Sequence, residues 1–316
     1  MTAAIESNGL SRRFGETVAV AGVDLRIATG EIYGFLGPNG AGKSTMVRML
    51  TTLLAPSGGT ARVAGFDVMR DAERVRLRIG VALQEAALDG KQTGRELLDL
   101  QGRLYGLSRT ERTRRVAELL QLVDIGDAID RRIATYSGGM KRRLDLAASL
   151  VHQPEVLFLD EPTTGLDPSS RAAVWAEVRY LNAQLGMTIF LTTQYLEEAD
   201  ALANRVGIIA HGSLVAEGTP TELKRSIGSD VIIARVAPGS AAGVAAVVEQ
   251  LAQVDRVETS DDEVVMSVAN GASAISPVAV ALADAGIAVE GLTLRTPTLD
   301  DVFLHITGGR LQEGAA

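Results

Sequence analysis

Val23, Leu25 and Ile27 alternate with Asp24 and Arg26, a period of two that predicts a half-buried strand. Thr29 and Gly30 then turn the chain, and the apolar run EIYGFL predicts a second strand leading straight into GPNGAGKST. Met46, Met49, Leu50 and Leu53 follow at helical spacing, and that pattern ends before Pro56. Residues 86–134 are patterned mostly as helix. One start is marked there by Ser108 and Glu111, a capping box ahead of the stripe Val116, Leu119, Leu120 and Val123. YSGGMKRRLDLAASL predicts a glycine turn that opens a helix, and VLFLDE a buried strand. A helix follows with Pro168 in its first turn and Val174, Val178, Leu181 and Leu185 on one face. TIFLTTQYLEEAD is another strand running into a helix, and VGIIAHGSLVAEG has the pattern of a hairpin.

Strands alternating with crossover-length helices predict an α/β fold with a largely parallel sheet covered by helices. The tail has a different order: strand (VIIARV), helix (240–252), strands (RVETS, EVVMSV), helix (276–286) and strand (GLTLRT), which predicts a small α+β domain. Charge changes at the same place. Residues 1–225 hold 27 basic and 27 acidic side chains, whereas residues 226–316 hold 4 and 12, so the tail carries the whole net charge of −8. The expected division is therefore 1–226 and 227–316. An acidic tail also argues against nucleic acid as a partner of that part.

The chain has no cysteine, which excludes disulfides and thiol catalysis. Its first residues, MTAAIESNGLSRRFG, lack the apolar core of a signal peptide, and no stretch approaches the roughly 20 apolar residues of a membrane span. The expectation is a protein that does not cross a membrane by itself.

Three segments carry chemistry. Gly37, Gly42, Lys43 and Ser44 match G-x-x-x-x-G-K-[ST] between a strand and a helix. In such a loop the backbone from Gly37 through Pro38, Asn39, Gly40, Ala41 and Gly42 to Thr45 wraps phosphates with N–H groups, and the helix N-terminus adds positive charge. Lys43 would reach the β- and γ-phosphates and the Ser44 hydroxyl would ligate Mg²⁺. VLFLDE brings Asp160 to a strand end, where it can hold Mg²⁺ through water, and places Glu161 one residue on to deprotonate an attacking water. YSGGM offers Ser137 as an N-cap, with Gly138 and Gly139 exposing the first N–H groups of a helix, a second anion site. A single nucleotide does not need both anion sites from one copy, but two copies facing each other would use them jointly.

The ordered series GPNGAGKST, Gln84 in VALQE, YSGGM, VLFLDEP and TTGLD resembles the nucleotide-binding subunit of ABC transporters over residues 4–225. The resemblance implies an ABC-type P-loop domain with a parallel-sheet core, an antiparallel β subdomain and a helical subdomain that receives the partner's coupling helix. It also implies a head-to-tail homodimer that sandwiches two ATP molecules. On the same resemblance Gln84 would contact Mg²⁺ and sense the membrane partner. Asp167 would signal across the dimer, and Phe14 would stack on adenine, although a core aromatic would explain Phe14 nearly as well. YSGGMKRRLDLAASL, LTTQYLEEAD and TPTLDDVFLHITG are similar to the daunorubicin/doxorubicin-resistance branch of bacterial ABC-2 exporters. That branch uses a separate membrane permease, which would hold the chain at the cytoplasmic face of the membrane.

Two residues depart from the family pattern. Met140 stands where the SGG motif is usually followed by glutamine, and Gln194 stands where a histidine usually contacts the γ-phosphate. An amide can donate a hydrogen bond to phosphate as a neutral imidazole can, but it cannot become a cation or relay a proton. The leading expectation is an ATPase motor that exports a hydrophobic or amphipathic compound of the drug class, or a lipid or glycolipid. Its alternatives are a nucleotide-gated module with negligible hydrolysis and a soluble ABC protein acting on nucleic acid, against which the acidic tail counts.

Overall fold

In the computed structural model the described residues are 2–83, 88–123, 125–237, 239–260 and 262–307. They divide into two compact units, one ending at Pro220 and one starting at Thr221.

In the first unit β1 (Ala3–Phe14) and β2 (Thr17–Ala28) form a long hairpin. The chain then enters β3 (Ile32–Leu36) and α1 (Lys43–Leu50), returns through β4 (Gly58–Val63) and β5 (Phe66–Asp67), and continues through α2 (Ala72–Arg76) into β6 (Ile79–Ala82). The helical segment consists of α3 (Gly94–Leu104), α4 (Arg109–Val123) and α5 (Gly138–Ser149). After it come β7 (Val156–Asp160), α6 (Pro168–Leu185), β8 (Thr188–Thr193), α7 (Leu196–Leu202), and the hairpin β9 (Arg205–Ala210) and β10 (Ser213–Gly218).

Two sheets result. One is antiparallel in the order β2-β1-β4-β5, and the alternation read at Val23, Leu25 and Ile27 buries those three side chains. The other runs β10-β9-β3-β8-β7-β6, parallel throughout except for the β10 edge. Every residue of β3, β7 and β8 is buried, as expected for strands covered on both faces. The Phe190 ring on β8 sits at the centre, 5.9, 5.5 and 5.6 Å from the rings of Tyr33, Phe35 and Phe158. This aromatic packing fixes the strand ends that carry the polar residues. Helices α3 to α6 close the other side of the parallel sheet around Leu98, Leu144, Leu157 and Val178. The capping box at Ser108 and Glu111 is formed, and a second at Thr93 and Glu96 starts α3.

The second unit follows α8 (Pro220–Ile227) with β11 (Asp230–Val236), α9 (Ala241–Val248), β12 (Val254–Thr259), β13 (Glu263–Val268), α10 (Gly271–Asp284), β14 (Val289–Arg295) and α11 (Leu299–Thr307). Its sheet is antiparallel in the order β12-β13-β11-β14, a split βαβ arrangement. One face of it (Ile232, Ala234, Val264, Met266) packs on Val244, Val248, Val278 and Leu282. Helix α10 starts five residues before the expected 276. Asn270 caps it, its Oδ1 accepting from Ser273 N at 3.2 Å, and Pro277 lies inside the helix rather than starting it. Helix α11 is absent from the expected elements, although Leu299, Val302, Phe303 and Ile306 stand at helical spacing. It begins with Thr298 and Asp301 bonding reciprocally, a capping box with aspartate in place of glutamate.

Candidate nucleotide site

The site gathers at the C-terminal ends of β3, β7 and β8, where open α/β sheets bind ligands. Between β3 and α1 the loop needs its glycines. A Cβ on Gly37 would lie 2.4 Å from Ile209 O, and one on Gly42, at φ 110°, would lie 2.4 Å from Ala19 O. Gly40 also has positive φ (79°). The first bond of α1 is donated by Met46 N to Gly42 O at 2.9 Å. The amides from Gly42 to Thr45 therefore have no protein acceptor among the described residues and are free for an anion. This cradle fits a polyphosphate.

Lys43 is 4% exposed and its ammonium is fully engaged. It donates to Gly37 O at 2.7 Å and Pro38 O at 3.1 Å and lies 3.3 Å from Glu161 Oε1. Asp160 is buried at the end of β7, and its Oδ1 accepts from Ser44 Oγ at 3.3 Å and from Thr192 Oγ1. Two hard oxygen donors, Ser44 and Asp160, thus stand side by side, which suits Mg²⁺ completed by phosphate and water. Glu161 has a left-handed backbone, φ 49°, rare for a residue with a side chain. Its N–H donates to Thr192 O and Thr192 Oγ1, both at 3.1 Å, and Thr164 Oγ1 donates to its Oε2 at 3.3 Å.

The other candidates stand apart from this cluster. Ser137 caps α5, accepting from Met140 N at 3.2 Å, and Ser137 and Gly138 are exposed. Asp167 caps α6, its Oδ2 accepting from Ser170 N at 3.2 Å and its Oδ1 from Ser170 Oγ at 2.6 Å. The Ser170 hydroxyl holds the Asp167 carboxyl below its ordinary pKa. A Cβ on Gly139 would lie 3.1 Å from Ser170 Oγ, so the two exposed turns adjoin. Among the described residues none of Ser137, Gly138, Gly139 and Asp167 bonds to the Lys43–Glu161 cluster. Gln194 follows β8, half-buried. Phe14 is 48% exposed, with the Arg12 guanidinium 4.6 Å from its ring centroid, which removes the core-aromatic reading. Met140 packs against the helical core. Gln84 lies outside the described residues.

Sequence reasoning missed two residues. Thr192 joins Asp160 to Glu161, but within LTTQ it looks like one more strand residue. Arg142 straps α5 to the ends of β6 and β7, donating to Leu83 O at 2.6 Å, Pro162 O at 2.9 Å and Asp160 O at 3.3 Å. Nothing in KRR distinguishes it from its neighbours. Burial lowers the Arg142 pKa, and burial raises that of its neighbour Asp145 to about 6 despite the guanidinium. A cavity of about 830 Å³ lined by Arg115, Glu118, Tyr180 and Leu181 contains none of the candidates, so size alone would mislead.

Comparison with known proteins agrees with this geometry. The ABC transporter family model matches residues 20–164, and the model of the C-terminal domain of DrrA1-3-like ATP-binding proteins matches residues 218–307. The chain is 49% identical to the daunorubicin resistance ATP-binding protein DrrA3 of Streptomyces coeruleorubidus, covering 99% of both. It is 47% identical to the daunorubicin/doxorubicin resistance ATP-binding protein DrrA of Streptomyces peucetius, over 97% of this chain and 93% of that one. It is 41% identical to the Nod factor export ATP-binding protein I of Paraburkholderia xenovorans, over 98% and 99%. Among solved structures, CbiO1 from Clostridium perfringens, part of an ABC transporter complex, superposes with a TM-score of 0.66 at 26% identity, over 71% of this chain and 91% of that one. No helix among the described residues is long and apolar enough to cross a membrane. The chain belongs to the ATP-binding subunits of ABC transporters, nucleotide-binding ATPases that dimerise and work with a membrane permease, in the branch that carries a DrrA-type C-terminal domain.

Proposed function

We propose that this ATPase drives a separate ABC-2 type permease at the cytoplasmic face of the membrane, exporting a hydrophobic or amphipathic compound of the drug class. The names of the two DrrA relatives support the substrate class. The observation that carries the hydrolytic reading is the buried contact of Lys43 with Glu161 beside Asp160 and Ser44. It keeps a cation, a base and two oxygen donors within one cluster at the phosphate cradle.

In the proposed reaction the loop amides and Lys43 bind the β- and γ-phosphates of ATP, and Lys43 leaves Glu161 for the phosphate. Glu161, released from that ion pair, accepts a proton from the water that attacks the γ-phosphorus in line, while the bond from that phosphorus to the β–γ bridging oxygen breaks and ADP leaves. Ser44 and Asp160, with Gln84, would hold Mg²⁺, which when bound neutralises phosphate charge. The amide of Gln194 donates to the γ-phosphate and orients it. Phe14 stacks on the adenine. Ser137, Gly138, Gly139 and Asp167 serve the nucleotide of the facing copy. Residues 1–226 act as the motor, and residues 227–316 regulate its closure or stabilise the dimer.

The test is steady-state ATPase activity of the chain with its permease, beside Glu161→Gln and Gln194→His. Wild type should turn over, with Glu161→Gln lower by about 100-fold or more and Gln194→His altered in rate. Wild type as silent as Glu161→Gln while still binding ATP would instead favour a nucleotide-gated binder, the reading that Gln194 itself raises.

A further inference from the structure

Glu198, on α7, is 0% exposed. A carboxyl taken wholly out of water destabilises a fold unless it is well paired, and an apolar residue of similar volume often serves as well. Its pairing is specific. Oε1 accepts from Thr163 Oγ1 at 2.9 Å and from Trp175 Nε1 at 2.9 Å, while Oε2 is buried without a hydrogen-bond partner. Burial raises the Glu198 pKa, opposed by the hydrogen bonds from Trp175 and Thr163 and by the charge of Arg171. The Arg171 guanidinium lies 4.8 Å from the ring centroid of Tyr195, the neighbour of Gln194.

The elements that meet on this one oxygen are those the reaction must keep in register. Thr163 is two residues past Glu161 and in the segment that ends at Asp167; Trp175 is on the helix that Asp167 caps; Glu198 is one helical turn beyond Gln194. We propose that Glu198 is a positioning residue for hydrolysis: it fastens the start of α7, and with it Gln194, to the Glu161–Asp167 segment and to α6. The γ-phosphate contact and the cross-dimer contact then move as one body. This inference rests on the roles proposed above for Gln194 and Asp167. The bond from Trp175 also supplies a reporter, because Trp175 is the single tryptophan of the chain.

The experiment uses the full-length chain with its permease and compares Glu198→Ala, Glu198→Gln, Gln194→Ala and the double variant Glu198→Ala/Gln194→Ala. ATPase kinetics and Trp175 emission with and without ATP are both recorded. Glu198→Ala should lower kcat about tenfold while KM for ATP moves less than about threefold, the pattern of a lost transition-state arrangement. Glu198→Gln keeps the accepting oxygen and should stay within about threefold of wild type. The double variant should be no slower than the slower single one, since coupled residues are not additive. The change in Trp175 emission on adding ATP should persist in Glu198→Gln and vanish in Glu198→Ala. If Glu198→Ala does not fold, Thr163→Val cuts the same tie from the other side, with the same split of kcat from KM expected. The inference is overturned if a folded tie-breaking variant keeps wild-type kcat, or if the Glu198 and Gln194 losses multiply. A slow Gln194→Ala beside a normal Glu198→Ala removes this inference alone. A Gln194→Ala that keeps wild-type kcat removes the γ-phosphate role of Gln194 and this inference with it.

Discussion

The Lys43–Glu161 cluster and the Ser137–Asp167 surface are both made of helix N-termini beside turns, yet their polar groups are treated in opposite ways. In the first, side chains are buried and engaged with one another: Lys43 with Glu161 and two carbonyls, Asp160 with Ser44 and Thr192. In the second, Ser137 and Asp167 are exposed, and among the described residues their hydrogen bonds are those that cap their helices. A cradle needs pre-organisation, because a loose lysine or carboxylate would have to be ordered at each turnover. A surface awaiting a second copy can be ordered by its caps alone. Under the proposed function one chain carries a nearly complete half-site and, elsewhere, the edge that would complete another.

The largest expected effect separates these roles. Lys43→Ala and Ser137→Arg should each lower turnover by about 100-fold or more. Only Lys43→Ala should weaken ATP binding to the isolated chain; Ser137→Arg should leave it within about threefold, measured by equilibrium titration. Equal weakening by both would dissolve the distinction.

The glycines sharpen it through stability. Gly42→Ala places a Cβ 2.4 Å from Ala19 O at a positive φ, whereas a Cβ on Gly138 meets nothing within 4 Å. Gly42→Ala should cost about 3 kcal/mol and Gly138→Ala less than about 0.5 kcal/mol in denaturant melts.

The helix behind the exposed turn has a pH signature. Burial keeps Asp145 protonated up to about pH 6 in the folded chain, against an ordinary value of 3.8. The folded state therefore binds the extra proton, so the stability contributed here is highest below about pH 4 and falls as pH rises to about 6. Asp145→Asn should remove that fall and gain about 2 kcal/mol on wild type between pH 4 and 7, read from urea melts. A difference that does not change with pH would contradict the assignment to Asp145.

The smallest effect belongs to Phe14. Phe14→Ala should weaken ATP binding by about fivefold, Phe14→Tyr by less than twofold, and neither should change stability by more than about 0.5 kcal/mol.

Much of the candidate phosphate site is legible because its proposed chemistry is tied to local sequence. Gly37, Gly42, Lys43 and Ser44 lie within eight residues, and VLFLDE announces both a buried strand and the acids at its end. The parallel sheet followed from strand–helix alternation, and the tail strands from their runs of β-branched residues. What was not legible depends on contacts between distant segments. Thr192 reaches Asp160 only because β8 lies beside β7, and Arg142 and Glu198 acquire their partners only once the helices dock. Helix α10 starts at Gly271 rather than at the expected 276, and the signal that decides it is the cap at Asn270.

The most direct test of the shared site is complementation. Lys43→Ala and Ser137→Arg chains, each inactive alone, are mixed in equal amounts with the permease and assayed for ATPase activity. In a mixed pair the Ser137→Arg chain supplies an intact Lys43 and the Lys43→Ala chain an intact Ser137, so one sound site forms per pair. The expected result is clear recovery of turnover on mixing. Mixtures that stay as inactive as the separate variants, although the mixed pairs form, would contradict a site built from two copies.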